Sequence, residues 1–176
     1  MTDLRYPIGQ FTYDGDASAK TRHRRIDEIA QAPAALRRAV VGLSAPQLDS
    51  PYRPGGWTVR QLAHHVPDSH LNAYVRFKLA LTEDLPTVKP YDQARWADLP
   101  DTRSVPVEVS LGLLDAVHER WVAVLRAMTA EDWGRGYRHP EYDRVVPLDE
   151  VLAMYAWHGR HHVAHITSLR EREGWS

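Results

Sequence analysis

Four of the chain's ten histidines fall in one short stretch, Trp157-His158-Gly159-Arg160-His161-His162-Val163-Ala164-His165. It contains two pairs spaced i,i+4, His158/His162 and His161/His165, and residues four apart share one face of a helix. Three more, His64, His65 and His70, lie between Trp57 and Asn72. Neutral imidazole is a ligand for divalent metals. One histidine from the earlier cluster and two from the later one would make a three-nitrogen set with an open position, the arrangement of a catalytic rather than a structural centre. Water fills that position, and the ion acidifies the water or polarises a substrate oxygen or sulfur. Zinc and nickel both accept imidazole, so the ligand set does not choose between them. Gly159, Arg160 and His161 separate the first pair, so the motif is not H-E-x-x-H and brings no general-base glutamate.

These side chains need helices to hold them, and the sequence supplies four. Residues 1–17, with Pro7, Gly9 and Gly15, form an irregular arm with apolar anchors at Tyr6, Ile8, Phe11 and Tyr13. A helical pattern covers Ser18 to Val41, with Ile26, Ile29, Leu36 and Val40 on one side. Pro33 either kinks it or starts it afresh. Ser44 and Gln47 have capping spacing for a short turn. Thr58 and Gln61 make a capping box for a second helix, which runs to about Leu81 with a kink expected at Pro67. Trp57, just before that cap, can staple onto Leu62. Residues 82–104, with Pro86, Pro90 and Pro100, form a long connection of the kind that carries function. The third helix spans about Pro106 to Met128, with Val109, Leu113, Val117, Trp121 and Leu125 as its stripe. Thr129–Asp132 makes a capped turn, and residues 136–146 a small hairpin or an irregular loop. The fourth helix runs from Leu148 to Glu173, with Gly174 as its stop. The fold class is therefore all-α, a four-helix bundle with a long connection between helices two and three, in a single domain over residues 1–176.

A helical wheel at about 100° per residue selects among the histidines. On the fourth helix, Leu148, Val151, Leu152, Tyr155, Val163, Ile166 and Leu169 define the apolar arc. His158 and His162 fall inside it, and His161 and His165 at its edge or outside. On the second helix His64 points away from the apolar face. His65 sits on its border, in a polar stripe with Gln61, Asp68, Ser69, Asn72 and Arg76. The metal set is therefore His65, His158 and His162. Asp68 could orient a ligand imidazole through its far nitrogen. Asp68 and His165 are the candidates for acid–base work, and neither is assigned as the base.

Composition narrows the alternatives. A formal net charge of -1 leaves no electrostatic footprint for nucleic acid. The absence of cysteine excludes a thiolate nucleophile, Cys-ligated zinc and disulfides. No stretch reaches the roughly 18–20 apolar residues of a membrane span, and the N-terminus lacks a signal peptide's apolar run. A soluble cytoplasmic protein with no membrane partner is the expectation.

Several segments taken together resemble the YfiT group of the DinB-like metalloenzymes. They are Tyr6-Pro7-Ile8-Gly9, the run from Pro51 to Gln61, Asp68-Ser69-His70, the run from Arg76 to Asp84, Lys89-Pro90-Tyr91 and Tyr155 to His162. The resemblance implies a four-helix bundle, a homodimer, and nickel or zinc on positions matching His65, His158 and His162. It also implies a small-molecule substrate. Three functions follow as expectations. The first is a metal-dependent hydrolase with metal-bound water as nucleophile. The second is a metal-dependent S-transferase using a low-molecular-weight thiol such as bacillithiol or mycothiol. The third is a non-catalytic metal-binding or stress-response module, in which His70 or His161 would close the coordination sphere.

Overall fold

The computed structural model describes residues 3–175. Four long helices carry the chain: α1 (Ala19–Val40), α3 (Val59–Thr82), α6 (Val107–Ala127) and α8 (Leu148–Glu173). Short helices punctuate the connections: α2 (Ala45–Leu48), α4 (Gln93–Ala97), α5 (Pro100–Ser104) and α7 (Ala130–Trp133). The 136–146 segment is a hairpin, with β1 (Gly136–Arg138) antiparallel to β2 (Val145–Pro147). Among the described residues no helix is long and apolar enough to cross a membrane.

The capping chemistry sets the helix ends. Ser18 accepts from the Thr21 N–H at the start of α1. Thr58 and Gln61 make the reciprocal capping box of α3. Gly174 ends α8 with a φ of 65°, left-handed backbone that glycine adopts without a Cβ clash. Pro33 neither restarts nor ends α1, and Pro67 likewise lies inside a continuous α3.

α1 packs on α8 and α6, and α3 packs on α6 and α8, so α1 and α3 lie across a diagonal. The core forms two clusters, and their membership fixes the helix directions. Ile26 and Ile29, at the start of α1, join Phe77 late in α3, Trp121 and Leu125 late in α6, and Leu148 and Leu152 early in α8. Leu36, late in α1, joins Leu62 early in α3, Leu111 early in α6, and Ile166 late in α8. α1 and α8 therefore run one way, and α3 and α6 the other. Parallel neighbours cannot be joined by a tight turn. After α3, whose 24 residues span about 36 Å, the chain must return the length of the bundle before α6 begins. That is why the 82–104 connection is long, and α4 and α5 pack along α3 as it returns.

Val109 and Leu113, read as core from periodicity, are exposed on α6. α6 is apolar on more than one side, and its buried face runs through Leu111, Leu114, Trp121 and Leu125 instead.

Candidate metal centre

Between the two apolar clusters lies a layer of imidazoles. His65 from α3 and His158 and His162 from α8 each offer a ring nitrogen, and the three nitrogens lie within 4.8 Å of one another. The ring centroids of His158 and His162 are 4.5 Å apart, and His65 is 4.9 Å from His162 and 5.4 Å from His158. Trp57, at the entry to α3, stands over His65 with centroids 4.8 Å apart. The preceding loop thus fixes one ligand while its indole also packs with the lower cluster.

Burial pushes the pKa of His65 down to about 4. Burial and the neighbouring imidazoles hold His158 and His162 well below the ordinary value. Neutral rings are the ligand form, so the site favours lone pairs over protons. Each neutral imidazole has one donor and one acceptor nitrogen, and its partners decide which is which.

Two hydrogen-bonded chains make that decision. In the first, the His118 Nδ1–H donates to the Ile29 carbonyl at 2.8 Å. His118 Nε2 must then accept, and it takes the His70 Nδ1–H at 2.8 Å. His70 Nε2 accepts in turn from the His158 Nδ1–H at 3.1 Å. The lone pair of His158 is thereby left on Nε2. In the second chain the His165 Nε2–H donates to the Arg5 carbonyl at 3.0 Å, so His165 Nδ1 carries a lone pair. That nitrogen faces His162 Nδ1 at 3.4 Å, which puts the His162 proton on Nδ1 and its lone pair on Nε2.

The first chain begins at Pro33. In an α-helix the Ile29 carbonyl would accept the N–H of residue 33, and proline has none. The proline that sequence reading took for an interruption frees an acceptor, and His118 takes it. Gly159 serves the same packing. A Cβ there would lie 3.0 Å from the Ala32 Cβ and 3.6 Å from His70 Cε1, so glycine lets α8 close on α1 with the His70 ring alongside.

His158 opens onto a cleft of about 840 Å³ bounded by α3, the 82–104 connection, the hairpin and α8. Tyr91, Tyr137, Tyr155 and Met154 line it with Ser69 and Arg76.

Known proteins share this sequence and this fold. Residues 28–166 match the model of the DinB superfamily. The chain belongs to the DinB superfamily. It is 54% identical over 175 residues to a Bacillus mycoides (strain KBAB4) protein named "Putative metal-dependent hydrolase", covering 99% of this chain and 100% of the relative. A Bacillus cereus (strain B4264) protein of the same name is 53% identical over 175 residues, with 99% and 100% covered. Among solved structures the chain is similar to Bacillus subtilis YfiT, described as "a probable metal-dependent hydrolase with an unusual four-helix bundle topology". The TM-score is 0.96 at 44% identity, covering 99% of this chain and 100% of that one.

Within this DinB bundle a second histidine trio could hold an ion. His161, His162 and His165 also bring ligand nitrogens within 4.8 Å of one another. A neutral imidazole has one lone pair, so His162 serves one trio or the other. The second trio borders a separate cavity of about 300 Å³ that Arg5 and Arg53 also line, and two guanidinium groups disfavour a cation there. His165 already spends one nitrogen on the Arg5 carbonyl.

The other sequence candidates are placed as follows. His161 and His165 were read at the edge of the apolar arc or outside it, and both are buried. The N-terminal arm covers them: the Tyr6 ring stacks 6.1 Å from His161, and Phe11 packs on Trp157 at 5.9 Å. His64, read as pointing away from the core, is buried and bonded through Nδ1 to the Ser110 hydroxyl at 2.7 Å. The start of α6 covers that face, which a single-helix wheel cannot show. Asp68 is half-buried, and among the described residues its carboxylate makes no hydrogen bond to a ligand imidazole. His70 and His165 do the orienting instead. Burial and the nearby Asp101 raise the Asp68 pKa to about 6. His70, a suggested fourth ligand, has both ring nitrogens committed to other histidines. His118 was not singled out at all. Its signal is a polar residue between Leu114 and Trp121 on the buried stripe of α6.

Proposed function

We propose that the chain is a metal-dependent hydrolase whose divalent ion, zinc or nickel, is held by His65, His158 and His162. The convergence of three neutral imidazole nitrogens beside a large cleft carries this reading. The donor set fits: the three side chains offer neutral imidazole nitrogens within 4.8 Å of one another, the ligand type that zinc and nickel accept. A bound divalent ion lowers the pKa of the attacking water and polarises the bond that breaks. The protein's own part is to hold His158 and His162 in the tautomer that leaves Nε2 free to ligate and to admit substrate past Tyr155 and Tyr91. Asp68, its pKa raised to about 6 by burial and the nearby Asp101, and His165 are the candidates for acid–base work, and neither is assigned as the base.

Metal analysis tests the assignment. Wild type should carry close to one equivalent of zinc or nickel after loading. His65→Ala and His162→Ala should lose it, and His161→Ala should keep it. Loss in His161→Ala with retention in His65→Ala would move the ion to the second trio.

One observation favours the runner-up, an S-transferase for a low-molecular-weight thiol of the bacillithiol or mycothiol type. Neither histidine trio includes a carboxylate, and a metal-activated thiol needs a weaker base than water does. Turnover of an electrophile that depends strictly on added thiol would replace the hydrolase reading. A non-catalytic metal module is less well supported, because His70 is committed elsewhere and the trio keeps an open side. We also read the protein as a cytoplasmic homodimer. Leu71 and Val75 on α3 and Val109 and Leu113 on α6 are exposed on adjacent helices, and an apolar face of this kind suits a second copy. Light scattering giving a monomer at micromolar concentration would count against the dimer.

A further inference from the structure

The polar stripe of α3 ends at Arg76, and the metal site does not use it. Its side chain is half-buried and lines the same cleft as His158. One Nη2–H donates to the Lys89 carbonyl at 3.0 Å. Among the described residues no carboxylate lies within ion-pair distance of it. The three carboxylates that line the cleft are engaged or displaced. Glu150 is held by both Arg144 Nη atoms at 2.7 and 2.8 Å. Asp92 accepts from the Ala94 and Arg95 N–H groups at the start of α4. Glu141 is exposed beside His139. A guanidinium taken partly out of water has five donors to place, and the Lys89 carbonyl with the neighbouring Tyr137 oxygen satisfies few of them.

The groups around it are donors as well. Burial pushes the Tyr91 phenol up to about 12 and the Tyr137 phenol higher still, so both keep their protons. His139 Nδ1 accepts from the Glu141 N–H at 3.3 Å, which leaves its Nε2 protonated. Val151 and Met154 make the opposite wall apolar.

We propose that Arg76, with Tyr91 and Tyr137, forms an anion subsite, and that the substrate of this protein carries a carboxylate on an apolar stem, away from the bond that reacts beside His158. A single guanidinium among carboxylates fits a monoanion better than a phosphate dianion. The proposal rests on the metal-site reading for the reacting end only. The subsite itself is independent of the metal.

The probes are 3-phenylpropionate and its neutral amide, titrated into the full chain and followed by ligand-observed NMR. The acid should bind about ten-fold more tightly than the amide, since charge-assisted hydrogen bonds are roughly twice as strong as neutral ones. Arg76→Gln should abolish that preference while keeping wild-type metal content, and Arg76→Lys should restore part of it. In metal-free His158→Ala the preference should persist. If it vanishes in His158→Ala and survives in Arg76→Gln, the carboxylate is landing on the ion and the subsite is refuted. Equal binding of acid and amide, or binding of neither, also overturns it. Intact acid preference in a protein that binds no metal at all would reject the hydrolase reading and leave the subsite standing.

Discussion

Replacing His118 with phenylalanine should weaken metal binding at a site His118 never touches. The phenyl ring fills the imidazole's volume, so the change is mainly electrostatic. His118 is 2% exposed and makes two hydrogen bonds of 2.8 Å. Its loss strands the His70 Nδ1–H and the Ile29 carbonyl, which has no helical donor because residue 33 is proline. Each stranded buried group costs about 1–3 kcal/mol, so folding should lose about 2–6 kcal/mol. The effect on the metal is separate. His70 becomes free to present either nitrogen to His158, and His158 loses the partner that keeps its proton on Nδ1. Partners of this kind change metal affinity by about 10–100-fold. Zinc competition against a chromophoric chelator at pH 7.5 reads the affinity, and urea unfolding of the metal-free protein reads the stability. Nitrogen-15 shifts of His158 in the metal-free protein report the tautomer, which should change from a single form to a mixture. His118→Gln, whose amide can both donate and accept, should recover part of the affinity. A phenylalanine variant that loses stability but binds zinc like wild type, with His158 still in one tautomer, would show that the chain is packing and nothing more.

Three further outcomes follow from the same geometry. Pro33→Ala returns an N–H to the Ile29 carbonyl, which has two lone pairs and can keep both donors; zinc affinity should fall, but by less than in His118→Phe. Gly159→Ala places a methyl 3.0 Å from Ala32 Cβ; overpacking of about 1–3 kcal/mol should outweigh the helix-propensity gain of about 1 kcal/mol, and a raised melting temperature would refute the close approach. The metal-free protein should lose stability as pH falls from about 6.5 to 4. Across that range the unfolded chain takes up protons that His65 and His118, held to about 4, refuse in the folded state. Each contributes a loss on the order of 3 kcal/mol by the acid end of the window. Asp68, raised to about 6, works the other way between about 3.8 and 6, one group against His65, His118, His161 and the other buried imidazoles. A urea midpoint equal at pH 7 and pH 5 would refute the burial of neutral imidazoles.

What was legible in the sequence follows a physical line. Helix ends were readable because capping is local: Thr58 with Gln61 and Gly174 act within a few residues of themselves. His65, His158 and His162 were picked from the faces of two helices, His65 at the border of one apolar arc and the other two inside the second, and the structure brings their ring nitrogens within 4.8 Å. Properties that depend on a second element were not readable. His64 lies opposite the apolar face of α3, yet α6 covers it. His161 and His165 lie at the edge of the arc of α8, yet the N-terminal arm closes over them through Tyr6 and Arg5. Pro33 was read as a break because its acceptor's new partner, His118, is 89 residues from Ile29. Val109 and Leu113 satisfy helical periodicity, but periodicity cannot say which of two apolar sides faces inward.

The position of the imidazole layer explains why metal and fold should be coupled. A bundle of this length would be most stable with one uninterrupted apolar core. Here the core is split in two, with Phe77 and Trp121 above the layer and Leu62 and Leu114 below it. Two hydrogen-bonded chains hold much of the layer and end on carbonyls at Ile29 and Arg5, while among the described residues His161 Nδ1 has no hydrogen-bond partner. The ring nitrogens of His65, His158 and His162 lie within 4.8 Å of one another, and burial disfavours their protonation. A bound cation would draw those imidazole nitrogens together. Binding that favours the folded state raises stability by about 2.7 kcal/mol when free metal is 100 times Kd. Zinc should therefore raise the melting temperature of wild type, and the increment should shrink in His118→Phe in step with the loss of affinity. A full zinc-induced shift in that variant would mean that the lone pairs find the ion without help from α1.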